Sequence, residues 1–260
     1  MIDNGNFDPN TSKPLFIERA VIGRAVVYHG DAYELVKTIG YPPDYGLLLT
    51  DPMYGKGATT KGATKGRGAG RIVGGSAIDE FDWKIDDDNK PFDPTPFLWF
   101  RKIVFWGGEN YAHLLPPSPK WLVWDKRDGS PSDDNSDAEL AWTNVPGKAI
   151  RVYRQLWRGV CRAGRENLSR GGAKLHPFQK PVGLGKFCIL QAKLQPGETV
   201  IDLFAGSGAF GVAALELGHP VVLVEKEKHF FDICCDQVER AQRQQNLIPS
   251  APLFNEELTA

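Results

Sequence analysis

The sequence predicts an α/β domain built on one doubly wound, mostly parallel sheet. Three observations predict it. Strand-like and helix-like stretches alternate at both ends of the chain. The run YGLLLT is apolar without alternation, as in a strand covered on both faces. Near residue 206 a glycine-rich turn, DLFAGSGAFG, carries a strand straight into a helix.

Each element follows in order. AVVYHG is a short β-rich run closed by Gly30. DAYELVKTI has helical spacing, with Asp31 placed as its N-cap. YGLLLT is the next strand, and Asp51 stands at its carboxyl end, where open α/β sheets place their ligands. Residues 55–75 are rich in glycine, threonine and lysine and read as a mobile basic loop. RKIVFWGG and KWLVWDK are further strands, DGSPSDDNSD is a polar loop, and KAIRVYRQLWRG is strand-like. VCRAGRENLSRGGAK reads as an exposed arm. HPFQKPVGLGKFCILQAKL is a loop and then an amphipathic helix. TVIDLF and VVLVE are strands around the helix AFGVAALEL, which Gly218 ends. A last helix covers roughly residues 229–245. One domain is expected over residues 1–260.

Composition narrows the function. The 42% hydrophobic content of the 260 residues supports a sizeable core. No apolar run is long enough for a bilayer, and the first residues lack a basic segment followed by an apolar one, so no membrane role and a cytoplasmic location are expected. Cys161, Cys188, Cys234 and Cys235 form no C-x-x-C pair and have no zinc-ligand spacing with histidine, so they read as reduced core thiols and no metal site is expected. A net charge of −1 excludes a generic polycation, but the charge is segregated. Lys148, Arg151, Arg154, Arg158, Arg162, Arg165, Arg170, Lys174 and Lys180 face a single acid, Glu166, within their stretch. Lys56, Lys61, Lys65, Arg67 and Arg71 have no acid between them. Such segments are either a solvated face or a phosphate footprint; two of them beside a reactive motif favour nucleic acid.

Two motifs carry chemistry. The glycines of DLFAGSGAFG let backbone approach a ligand, and the helix start offers free N–H groups. Glu225, at the end of the following strand, is placed for the two hydroxyls of a ribose. Together they point to an adenosine-containing cofactor, and NAD, a flavin nucleotide and S-adenosylmethionine all satisfy them. The second motif is DPMYG. Asp51 can accept one N–H of an exocyclic amine, a backbone carbonyl of Pro52 or Met53 the other, and Tyr54 can stack on the base. Such a base must leave its duplex. Taken alone, DPMYG reads first as a proline turn after a strand.

The motifs taken together resemble the amino-methyltransferases of DNA. DPMYG is similar to their D-P-P-Y motif, HPFQKP to H-P-x-Q-K-P, and DLFAGSGAFG to their cofactor motif. The order, with the catalytic motif first, is that of the circularly permuted beta group, and WLVWDK and DAELAWT resemble phage and prophage members. The resemblance spans residues 25–245. It implies a Rossmann-like S-adenosylmethionine-dependent methyltransferase fold, circularly permuted, with a mostly parallel sheet bearing one antiparallel strand. The strand of Asp202 should then lie beside that of Asp51. It implies cofactor contacts from Asp31, His176, Gln179, Lys180, Phe204, Ala205, Gly206, Gly208 and Glu225, with Asp202 supporting the turn. It also implies double-stranded DNA as substrate, adenine N6 as the target atom because Asp opens the motif, and a homodimer as a common assembly. No residue identifies a restriction partner. Residues 125–175 become the target-recognition region, with Arg127 among its DNA contacts. Met53 stands where the family has a second proline and Phe178 where it commonly has threonine. Cytosine N4, an RNA amino-methyltransferase, a silent DNA-binding protein and a nicotinamide oxidoreductase are the rival readings.

Overall fold

The computed structural model describes residues 16–39, 45–54, 90–132, 136–158, 161–163, 175–176 and 178–247. In chain order the elements are β1 (Glu18–Ile22), β2 (Ala25–His29), α1 (Ala32–Ile39), β3 (Tyr45–Thr50), β4 (Ile103–Trp106), β5 (Trp121–Asp125), β6 (Ala138–Thr143), β7 (Arg151–Arg154), β8 (Trp157–Arg158) and β9 (Cys161–Arg162). There follow α2 (Val182–Ala192), β10 (Thr199–Asp202), α3 (Ala209–Glu216), β11 (Val221–Glu225) and α4 (Lys228–Leu247).

Among the described residues nine strands form one sheet in the order β1-β2-β11-β10-β3-β4-β6-β5-β7, and β8 pairs only with β9. The pairs from β2 to β4 are all parallel. β6 runs against both β4 and β5. The fold is thus the expected mostly parallel sheet with its one reversed internal strand. A second reversed strand, β1, pairs with β2 at the edge. The ERAVI run of β1 is only half-buried, which is why no strong strand signal marked it. As the permuted order requires, β10 lies directly beside β3.

The continuous apolar runs have the reason anticipated: both sheet faces are covered. Leu47, Leu49, Val104 and Trp106 pack under α2, α3 and α4 with Leu184, Phe210, Phe231 and Val238. Leu48, Ile103, Phe105 and Ile201 turn the other way, against α1 and the aromatic residues Phe92, Phe97 and Phe100. Asp31 caps α1 as expected, its Oδ1 accepting the backbone N–H of Tyr33 at 2.9 Å and of Glu34 at 3.3 Å. Among the described residues no helix is long and apolar enough to cross a membrane, and no His, Cys, Asp and Glu cluster could hold a metal ion. Cys188 and Cys234 are buried free thiols.

Candidate active site

A parallel sheet ends all its strands on one edge, and this chain places acids there. Thr50, Asp202 and Glu225 end β3, β10 and β11, while Asp51 follows β3 and Asp31 follows β2 by two residues. These four strands are neighbours, so the four carboxylates stand in a row. β6 is reversed, so its start, with Glu139, comes to the same edge. The edge walls a cavity of about 650 Å³. Asp31, Asp51, Pro52, Met53 and Tyr54 line it. So do His176, Gln179, Lys180, Asp202, Phe204, Ala205, Gly206 and Glu225. Gly208 does not line it; at φ 82° it caps α3 with its back to Cys234.

The glycine turn is held from beneath. The Thr50 hydroxyl donates to Asp202 Oδ1 at 2.6 Å, and the Phe204 N–H donates to the same oxygen at 3.2 Å. Burial pushes the Asp202 carboxyl up to about 7, against those two hydrogen bonds and with help from the Asp51 and Glu225 charges. Glu225 Oε2 accepts the N–H of Gly206 at 2.7 Å, and Oε1 accepts that of Glu227 at 2.8 Å. Burial lifts its carboxyl to about 7 as well. Glu225 also lines the cavity. Asp31 Oδ2 faces Lys226 Nζ at 3.5 Å. Tyr33, Phe92 and Phe204 form an apolar wall of mutually edge-on and tilted rings. His176 packs its ring on Phe230 at 4.2 Å and accepts the Phe178 N–H at Nδ1, 3.1 Å away. Phe178 is 40% exposed and lines the cavity.

At the other end of the cavity the Tyr54 hydroxyl donates to Asp51 Oδ1, and Lys180 Nζ pairs with Asp51 Oδ2. Lys180 Nζ also faces Glu139 Oε2 at 3.3 Å, and Glu139 Oε1 takes Lys126 Nζ at 3.0 Å. Burial raises Asp51 above the usual carboxylate range; Lys180 opposes this and Glu139 adds to it. Burial alone would lower Lys180, but Asp51 and Glu139 outweigh it and the ammonium is held firmly. Burial, then the Asp51 charge, keeps Tyr54 protonated. Gly107, at the end of β4 with φ 69°, lets the Tyr54 ring lie against bare backbone: a Cβ there would sit 2.0 Å from Tyr54 Cε1.

Glu139, Lys126 and Gly107 belong to this site and were not singled out from sequence. An acid inside the strand DAELAWT and the glycine pair of FWGG were the available signals. The basic residues divide. Lys56, Lys61, Lys65, Arg67, Arg165 and Arg170 lie outside the described residues, as does the 55–75 stretch and the side chain of Arg158. Arg151 and Arg154 are exposed on β7. Because β7 runs parallel to β5, Arg154 lies at the carboxyl end of this outer strand, and Arg151 is roughly 10 Å back along it. The exposed-face expectation does not describe Arg127 and Arg162, each 4% exposed. Arg127 Nε binds Asp137 at 2.7 Å. Arg162 donates to Gln179 Oε1 at 3.1 Å and stacks its guanidinium 4.1 Å over the Trp157 ring. Gln179 Oε1 also accepts the Leu175 N–H at 3.1 Å, so Arg162 braces the segment that carries Lys180.

A family model described as DNA methylase, N6_N4_Mtase, matches residues 96–236. The type II methyltransferase M2.LlaDCHI of Lactococcus lactis subsp. cremoris is 24% identical over 250 residues, covering 80% of this chain and 87% of that protein. The type II methyltransferase M.HinfI of Haemophilus influenzae is 30% identical over 81 residues, 31% of this chain and 22% of that protein. Two solved structures share the fold at a TM-score of 0.50. The M1.HpyAVI–SAM complex is 19% identical, covering 82% of this chain and 98% of that one. The cytosine-N4-specific PvuII DNA methyltransferase is 14% identical, covering 87% and 93%.

Proposed function

The chain belongs to the N6_N4_Mtase family of DNA methylases, and on that premise we propose that it methylates adenine N6 of a base flipped out of double-stranded DNA, with S-adenosylmethionine as donor. One observation carries the reading: Asp51 with Tyr54, and the glycine turn with Glu225, open into one cavity from the ends of adjacent strands. The residues fit the donor. Glu225 lines the cavity as a carboxylate that can accept from a diol, Asp31 lies one strand further out, and the wall of Tyr33, Phe92 and Phe204 suits a flat heterocycle. Bound there, S-adenosylmethionine supplies an electrophilic methyl group.

The protein's own residues do the rest. Asp51 accepts an N–H of the target amine and is the base that takes the proton this nitrogen loses. Its elevated affinity for protons, set by burial, suits that task. A carbonyl of Pro52 or Met53 accepts the second N–H, and Tyr54 packs on the ring. The Asp51 side chain is 13% exposed within the cavity, so a base still stacked in its duplex does not reach it. Arg154, exposed at the carboxyl end of β7, with the basic residues of the 55–75 and 164–174 stretches, serves phosphates. Asp at the head of the motif favours adenine within the family; the relative named cytosine-N4-specific keeps N4 of cytosine as the second reading. Nucleoside mass spectrometry of unmethylated DNA incubated with the protein and S-adenosylmethionine tests both. N6-methyladenine is expected, N4-methylcytosine would change the base alone, and no methylated nucleoside would overturn the function.

A further inference from the structure

Each oxygen of Asp51 already has a partner before any base enters, one the Tyr54 hydroxyl and the other Lys180. An amine that takes up Asp51 competes with one of these partners. We propose that Glu139 is the positioning residue that receives Lys180 when Asp51 turns to the entering base; the inference rests on the methyltransferase reading above.

Three observations support it. Lys180 already faces both carboxylates, with side-chain exposures of 11% for Lys180, 13% for Asp51 and 21% for Glu139. A lysine released in so dry a site would be costly unless another anion stood ready. Glu139 Oε2 is that anion: it is buried and accepts no hydrogen bond among the described residues, while the ammonium stands 3.3 Å away as a charge contact. Glu139 cannot drift off, because Lys126 holds its other oxygen at 3.0 Å. A small reorientation of the ammonium would convert the Lys180–Glu139 contact into a hydrogen-bonded ion pair. The group of two carboxylates and two ammoniums is neutral before and after, so a neutral base meets no net charge. The alternative is a structural role, in which Glu139 only staples β6 to Lys126 beyond β5.

The test measures single-turnover methylation against pH for the full chain and its Glu139→Gln and Glu139→Asp variants. S-adenosylmethionine affinity is followed by calorimetry and folding by thermal melting. Glu139→Gln should slow the step by about 10- to 100-fold, the size of coupling inside one ion-pair network, with cofactor affinity unchanged. Its acid limb should move to lower pH, because the Glu139 charge raises Asp51. Lys180, Tyr54, Tyr111, Glu109, Asp202 and Lys126, the other charged or titratable groups around this pair, are unchanged in the variant. Glu139→Asp keeps the charge but shortens the reach, and should fall between. If the Gln variant does not fold, the Asp variant decides by its rate. A wild-type rate in a folded variant overturns the inference, and so does a slowed Glu139→Gln rate with an unmoved acid limb, which marks a structural role. No methylation by the unaltered chain would sink the function itself, and this inference with it.

Discussion

Replacing Gly107 by alanine separates what a residue does for the backbone from what it does for the site. Gly107 has φ 69° and Gly197 has φ 86°, so both are left-handed. Alanine at either costs about 1–2 kcal/mol of backbone strain, which lowers the melting midpoint by roughly 2–8 °C in a domain of this size. The surroundings differ. At Gly197 an added Cβ meets nothing within 4 Å. At Gly107 it falls 2.0 Å from Tyr54 Cε1 and 2.4 Å from the Tyr54 hydroxyl oxygen. Ordinary carbon contacts begin near 3.5 Å, so the ring must retreat by about 1.5 Å. That breaks its bond to Asp51 and moves the surface on which a base would lie. Displacements of that size cost roughly 100-fold in rate. The assay is methylation turnover beside thermal melting for both variants. Gly197→Ala should lose stability alone, and Gly107→Ala stability and turnover. Equal turnover in the two would refute the claim that Tyr54 must occupy this place.

Asp51→Ala should reduce methylation by at least about 100- to 1,000-fold while S-adenosylmethionine affinity, measured by calorimetry, changes little; wild-type turnover would exclude Asp51 from the chemistry. Affinity for DNA should fall steeply with salt, with a log–log slope near −2.7 for as few as three phosphate contacts; a flat response in a binding titration would remove the basic segments from the DNA face. Stability should fall as pH rises from about 4 to about 7, because burial raises Asp202 and Glu225 to about 7 and the unfolded chain gives up these protons first. Asp202→Asn keeps an acceptor for Thr50 and Phe204 and removes one of the two titrations, so denaturant unfolding should show a slope shallower by up to about 1.4 kcal/mol per pH unit; an unchanged slope would show that Asp202 is not the buried acid inferred here.

The strands β2, β3, β10 and β11 and the helices α1, α3 and α4 were legible because their signals are local: apolar runs, an Asp cap, a glycine stop. The reversed sense of β6 was available only through resemblance, and β1 gave no local signal because an edge strand with half-buried residues needs little apolar pattern. Asp51, Tyr54 and Glu225 could be placed in advance, since a strand's carboxyl end is a ligand position whatever surrounds it. Glu139 and Gly107 could not. Each matters only through a neighbour far away in the chain, Lys180 for one and Tyr54 for the other. Arg127 and Arg162 show the converse. An arginine in a run of bases or a recognition region reads as exposed, but Asp137 draws Arg127 inward, and Gln179 and Trp157 draw Arg162. Composition counts charges; burial is decided by partners.

The chain order of the motifs is immaterial to the site because the sheet erases it. Asp51 comes 151 positions before Asp202, yet Thr50 hydrogen-bonds Asp202 because β3 and β10 are neighbours in register. That bond ties the DPMYG motif to the glycine turn through one buried hydroxyl: the residue before Asp51 holds the carboxylate that holds Phe204. Deleting the hydroxyl, as in Thr50→Val, leaves a buried carboxylate short of a donor, at a cost of about 1–3 kcal/mol. It also loosens the turn at the same time as the motif. A defect in cofactor affinity from a residue on the base-binding strand is therefore the expected signature of this coupling. A Thr50→Val protein that bound S-adenosylmethionine as the unaltered chain does would show the two halves of the cavity to be independent.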